Sequence, residues 1–449
     1  MKKSIYGKNC LFMVLLMISV LIITGCTSSP NDKNTPVVAE KSLATNKTEV
    51  NALVIYHWWT SSGESAAIGS LVDEFSKEYP DVAIMPAPVK SSGIDFHEKV
   101  LKPMVLNGEA PDSFQGHPGY EIKPYYDSNT LETVDDIWAS SNLESVTPKI
   151  IQDINKFKGH YYSIPIDVHR GNVIWYNKQL LDKNGIDAST LKDWDSFFNA
   201  CDKLKASGVK YPIRMGEGWT AGEVLENIIA SEGPKFYEDW INGKVTSAND
   251  PKLLHALETF KKFLSYTNND SATTGWNDAV GSVISGDSAF NLMGDWANGE
   301  FKIVGMKYGI DYGTFPVPGT SDEYITDVDT FVRPKGAAHP ANSVKWLNLV
   351  ASKAGQDAFN PKKGSISVRS DSDISLYDDY QKSAIADFKA VHYYLPSRGT
   401  GMPNSVVVPF NNVIVPEFVR DKDITKTAED VTKLIKKSSA DFITTWSLT

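Results

Sequence analysis

Cysteine is scarce in this 449-residue chain, at three residues: Cys10, Cys26 and Cys201. The globular part, roughly 51 to 449, holds Cys201 alone, so no disulfide can close within it. A body of that length buries enough apolar surface to do without one. Cys201 lies among Phe197, Phe198 and Leu204 on a helical pattern and reads as an inert core thiol. Basic clusters are also lacking. Lys and Arg number 45 against 55 Asp and Glu, giving a formal net charge of −10, and basic residues go no further than pairs such as Lys436-Lys437. That excludes nucleic acid as a partner. The apolar run Leu11 to Ile23 falls short of the roughly 20 residues that span a bilayer. There is no P-loop, no H-E-x-x-H and no paired-cysteine spacing, so neither a cofactor nor a metal is expected. Gly216-Glu217-Gly218-Trp219-Thr220-Ala221 fits a dinucleotide pattern, but a tryptophan inside the turn obstructs a pyrophosphate.

What is present begins at the N-terminus. Lys2, Lys3 and Lys8 precede the short apolar run, the arrangement of an export signal. Ile23-Thr24-Gly25-Cys26 resembles a bacterial lipoprotein cleavage box. The resemblance implies a signal peptide over 1–25 and a mature chain that starts at a lipid-bearing Cys26, anchored to a membrane and facing the periplasm or cell exterior. Residues 26–50, rich in Ser, Thr, Asn, Lys and Pro, read as a disordered tether.

The body is organised around Leu53-Val54-Ile55-Tyr56-His57-Trp58-Trp59-Thr60-Ser61-Ser62-Gly63-Glu64. Its apolar, largely β-branched start predicts a buried strand. Ala67, Ile68, Leu71, Val72, Phe75 and Tyr79 then recur at helical spacing up to Pro80. Between strand and helix stand two tryptophans and Glu64. Flat faces beside a carboxylate suit a sugar, which has C–H faces to stack and hydroxyls to donate. Strands predicted at 82–85, 112–117 and 161–166 alternate with helices at 96–106 and 150–157, which argues a sheet flanked by helices. A second set follows Asp167: strands at 173–176, 211–215 and 289–293, and helices at 193–205, 224–230 and 253–264. Ile325 to Val332 reads as one strand returning to the first set. Trp219, Trp276 and Trp296 stand in loop-like sequence, where binding residues concentrate.

Five stretches in order resemble the family 1 extracellular solute-binding proteins of bacterial ABC sugar importers, the glucose/mannose-type branch most of all. They are His57 to Glu64, Gln115-Gly116-His117, Pro165 to Arg170, Met293 to Glu300 and Lys363 to Arg369. The resemblance implies an α/β chain with the type II periplasmic-binding fold, its two α/β domains being 51–166 with 325–370 and 167–324 with 371–449. The ligand cleft between them would be lined by Trp58, Trp59, Glu64, Gln115, His117, Asp167, His169, Arg170, Trp219, Trp276, Asp295, Trp296, Asp329 and Lys363. It implies a monomeric carrier that closes on a mono- or oligosaccharide and delivers it to a permease, with no catalysis. The alternatives are a carrier for a non-sugar solute and a carbohydrate-active enzyme using two of the carboxylates. At Pro396 to Pro403 the chain departs from the branch. Thr400 stands where a sugar-contacting histidine is common, and Arg398 precedes it by two. That loop is expected to alter selectivity, with Arg398 either reaching the ligand or solvated.

Overall fold

The computed structural model describes residues 51–444 and Trp446. The leader, Cys26 and the tether lie outside the described residues. No helix among those described is long and apolar enough to cross a membrane.

In chain order the strands are β1 (Ala52–His57), β2 (Ala83–Pro88), β3 (Ser113–Gly116), β4 (Lys156–Phe157), β5 (His160–Tyr161), β6 (Ser163–Pro165), β7 (His169–Arg170), β8 (Val173–Asn177), β9 (Phe290–Leu292), β10 (Tyr312–Pro316), β11 (Glu323–Asp327), β12 (Thr330–Val332) and β13 (Tyr393–Pro396). The largest sheet has the order β2-β1-β3-β12-β6. β1 is parallel to β2 and β3, while β12 runs antiparallel to β3 and β6. β1 buries Leu53 and Ile55, as its apolar run requires. Helix Ser62–Glu78 starts at a capping box: Ser61 Oγ accepts from Glu64 N–H, and Glu64 Oε2 accepts from the N–H groups of Thr60 and Ser61. It buries Ala67, Ile68, Leu71 and Phe75 against helices Pro340–Ala351 and Lys353–Lys363. Burying a side chain such as Leu71 or Phe75 contributes roughly 1.5–3 kcal/mol.

Two three-stranded sheets, β10-β8-β9 and β13-β11-β7, and a β4-β5 hairpin complete the strands. β8 is antiparallel to both its neighbours, whereas β11 is parallel to β13 and antiparallel to β7. Around them an apolar core gathers Phe197, Phe198, Leu257, Phe260, Phe263 and Phe290. Cys201 is fully buried in this core, and burial pushes its thiol well above the ordinary range.

Three predicted strands come out differently, one of them 161–166, which divides between β5 and β6 in different sheets. Residues 211–215 form only an isolated bridge, Ile213 to Phe290. Pro212 has no N–H to donate, and its partner strand β9 is three residues long. The segment 325–332 is two strands in different sheets, β11 and β12, parted at Val328-Asp329.

That break locates the site. The chain passes between the sheets at three neighbouring places. It leaves β6 for β7 through Ile166 to Val168, returns from β11 to β12 through Val328-Asp329, and leaves again after helix Lys353–Lys363. Val168 and Ile366 bridge two of the passages, and Asp329 N–H donates to Asp167 Oδ1 at 2.8 Å, joining the third.

Candidate functional site

A cavity of about 910 Å³ opens beside these passages. Trp58, Glu64, His117, His169, Trp219, Trp276, Trp296, Asp329 and Lys363 line it, all from the predicted set. Trp219 and Trp276 sit in the first turns of helices Gly218–Ala230 and Trp276–Ile284 rather than in loops. Gly294 has a specific use: a side chain there would meet the Trp296 indole at 2.2 Å, so only glycine lets that ring fold across the backbone. Trp219 and Trp296 lie 6.2 Å apart between ring centres. Trp58 is half-buried, 5.0 Å from the His117 ring and 5.4 Å from Phe96.

Five predicted residues do not line the cavity, and each has a structural partner instead. Trp59 is 1% exposed and packs on Phe359 at 4.8 Å and Phe331 at 5.7 Å. Adjacent side chains on an extended segment point opposite ways, so Trp58 faces the cavity and Trp59 the core. Gln115 accepts from Trp58 N–H at 3.1 Å and donates to Asp329 Oδ1 at 2.7 Å. Asp167 and Asp295 flank His169 on its two ring nitrogens, Asp295 also accepting from Tyr380 OH at 3.2 Å. Arg170 turns away to pair with Asp387, over the Tyr324 ring.

The passages carry a buried charge cluster. Lys363 Nζ lies 3.3 Å from Glu64 Oε1, and His169 Nε2 lies 3.1 Å from Asp167 Oδ2 and 3.6 Å from Asp329 Oδ2. Burial opposes the charge on His169, but Asp167 and Asp295 outweigh it and hold the imidazole well above its ordinary value. Burial likewise opposes charge on Lys363, and Glu64, Asp329 and Asp167 raise it. Asp167 is itself pushed up to about 6, chiefly by burial. Asp329 goes the other way: despite burial, the neighbouring His169, Lys363 and His117 hold it below the carboxylate range. Asp167, His169 and Asp329 bring three metal-ligand atoms within 4.8 Å of one another. Lys363 stands beside these carboxylates as a further cation, paired with Glu64.

A second chain of groups reaches the cavity through His117. Its Nδ1 meets Glu121 Oε2 at 2.9 Å, and Glu121 Oε1 lies 3.1 Å from His97, which meets Tyr125 OH at 2.8 Å. Burial works against a charged His117, but Asp327 and Glu121 prevail and lift it to about 10. Sequence reading missed Glu121, although its place four residues after His117 was a signal. It also missed Asp327, Glu223, Glu226 and Asn227, all of which line the cavity.

In the 396–403 loop the solvated alternative fails for Arg398. Arg398 lines the cavity, yet it is not solvated and its fork is already engaged. It forms an ion pair with Glu226 and donates to Asn411 Oδ1 and to the Trp219 carbonyl, both at 3.1 Å. Thr400 is fully buried outside the cavity, its carbonyl accepting from Tyr120 N–H at 3.0 Å. A side chain at Gly119, where φ is +76°, would meet the Thr400 carbonyl oxygen at 2.4 Å.

The model of the bacterial extracellular solute-binding proteins matches residues 59–357. An ABC transporter extracellular-binding protein of Pyrococcus horikoshii is 40% identical over 438 residues, covering 96% of each chain. A xylose/arabinose-binding protein of Haloferax volcanii is 27% identical, covering 78% of this chain and 76% of its own. The fold is similar to that of a chitin oligosaccharide binding protein, with a TM-score of 0.76 at 17% identity over 87% of this chain and 99% of that one. The family match spans the first two passages and most of the cavity wall, and with a relative this similar along the whole length the chain belongs to the bacterial extracellular solute-binding proteins.

Proposed function

We propose that the protein captures a sugar in this cavity and hands it to an ABC permease, without turnover. One observation carries the reading: Trp58 on one wall and Trp219, Trp276 and Trp296 on another face a single cavity that is also lined by carboxylates. Stacking faces beside acceptors are what a pyranose needs. The xylose/arabinose-binding relative and the oligosaccharide-binding structural neighbour support it. A volume near 910 Å³ lies at the upper end of ordinary ligand sites, which run to about 1,000 Å³, and favours more than one ring.

The domains read from sequence are 51–166 with 325–370 and 167–324 with 371–449; because β11 pairs with β13 and β7, the boundary at 325 belongs instead after Asp327. Ligand contacts made only in a closed arrangement shift the population toward it. A micromolar Kd corresponds to about −8 kcal/mol. Cys26 carries lipid, residues 27–50 tether the body to the membrane, and the carrier is a monomer.

The test is a thermal-shift screen of the purified protein against neutral sugars, amino sugars, peptides and metal salts, with chromatography of the same tubes. A stabilising sugar recovered intact is expected. Stabilisation by peptides alone, or cleavage of the sugar, would overturn the reading. For the anchor, Cys26→Ser should abolish labelling by a fatty-acid probe; unchanged labelling would refute it.

A further inference from the structure

Helix Gly218–Ala230 carries Glu223, Glu226 and Asn227 on one face, spaced by three and four residues, and that face is part of the cavity wall. Two acceptor atoms on it have no hydrogen-bond partner among the described residues: Glu223 Oε2 and Asn227 Oδ1. The side chains are 5% and 0% exposed. Buried polar atoms are ordinarily paired, and these two are neighbours.

Both are held in place by their other atoms. Gly294 N–H donates to Glu223 Oε1 at 2.9 Å. Asn227 Nδ2 donates to the carbonyls of Gly171 at 3.2 Å and Glu223 at 3.0 Å, which fixes Oδ1 as the acceptor. The helix is closely seated at this point. A side chain at Gly222 would meet Asn411 Oδ1 at 2.4 Å, so the helix is seated directly on the Arg398–Asn411 pair. Arg398, the cation nearest in kind to a partner, is committed to Glu226, Asn411 and the Trp219 carbonyl. Asp327 lines the same cavity, its Oδ1 accepting from Ser397 Oγ at 3.2 Å and lying 3.7 Å from His117 Nε2.

This surface is short of donors and rich in acceptors. A sugar hydroxyl supplies one donor and brings lone pairs of its own, whereas an ammonium supplies three donors, no acceptor and a positive charge. We infer that this end of the cavity is an amine subsite, so that the ligand is an amino sugar or a glycan containing one, with Glu223 and Asn227 as acceptors and Asp327 as the supporting charge. The inference rests on the sugar-binding reading above and names the substituent that the site selects. Burial, aided by Glu226 and Asp327 and opposed by Arg398, raises the Glu223 carboxyl well above its ordinary value. A ligand ammonium removes the reason for that shift, because it pairs the charge that burial otherwise disfavours.

The test is calorimetry at pH 7 with matched pairs: glucose and glucosamine, galactose and galactosamine, mannose and mannosamine, and the β-1,4 dimers of glucose and of glucosamine. In the best-bound pair the amine should bind at least tenfold more tightly. Glu223→Gln, checked for its fold by circular dichroism, should bring that ratio below threefold. Asp327→Asn, at a half-buried position, should lower it severalfold. A neutral sugar bound as well as its amine in every pair, or a ratio unmoved in both variants, overturns the amine subsite and leaves the carrier reading standing. No binding by any member of the panel, with no stabilising sugar in the thermal-shift screen, overturns both.

Discussion

Trp58 and Trp59 are neighbours in sequence with opposite fates, and truncating each in turn separates fold from function. Trp59 is 1% exposed, packed on Phe331 and Phe359, with Lys363 Nζ 5.5 Å above its ring. Trp59→Ala removes a full indole from a closed core, and such truncations cost about 3–5 kcal/mol. About 0.5–1.5 kcal/mol of that comes from each aromatic pair. Against a native stability of about 5–15 kcal/mol the loss is large. Trp58 is half-buried on the cavity wall, so Trp58→Ala leaves a space already open to solvent and should cost about 1 kcal/mol of stability, as most substitutions do. It should instead weaken the bound sugar by about 2 kcal/mol, the size of an aromatic anchor. Urea unfolding followed by circular dichroism reads the first quantity, with the transition slope unchanged. Titration with the sugar found in the screen reads the second. The reasoning is refuted if Trp59→Ala unfolds with the parent yet fails to bind, or if Trp58→Ala binds like the parent.

Lys363→Met should destabilise by about 3–5 kcal/mol, because it strands Glu64 beside Asp329 and Asp167; an unchanged urea midpoint would remove the charge cluster from the account. His117, lifted to about 10 in the fold, contributes stability that is full below pH 6.5 and lost as pH rises through 10. Melting temperatures of His117→Gln should therefore fall less than the parent's between pH 7 and 10, and parallel profiles would contradict this. His57 is buried without a hydrogen-bond partner and lowered to about 4, so its contribution is present above pH 6.5 and lost as pH falls toward 4. His57→Leu should blunt that acid loss, and an unaltered acid limb would count against it. Thr400→His should cost about 1–3 kcal/mol by overpacking against Gly119, with no change in the ranking of sugars; a new preference for plain hexoses would show that the loop reaches the ligand after all.

Local pattern carried much of this structure. β1 and helix Ser62–Glu78 follow from period and capping box, and nine of the predicted cleft residues line one cavity. What pattern could not carry was direction. Nothing in Trp58-Trp59 says which indole faces inward until β12 and helix Lys353–Lys363 supply Phe331 and Phe359. Gln115, Asp167 and Asp295 have the right chemistry for a ligand, but their partners are Asp329 and His169, brought together only by the three passages. Helix Gly218–Ala230 misleads in the other sense. Glu223, Glu226 and Asn227 are polar, yet the helix is buried nearly all round and their face lines the cavity. Three polar residues within an otherwise apolar helix were the available signal.

A sugar that occupies the cavity should leave it unchanged. Isothermal titration of the purified protein with the best sugar from the screen, followed by mass spectrometry of the recovered ligand, tests it most directly. The account predicts one site per chain, a Kd near the micromolar range, loss of roughly 2 kcal/mol of affinity in Trp296→Ala, and a ligand of unaltered mass. Binding that survives truncation of Trp58, Trp219 and Trp296 together, or a ligand recovered as cleavage products, would contradict it.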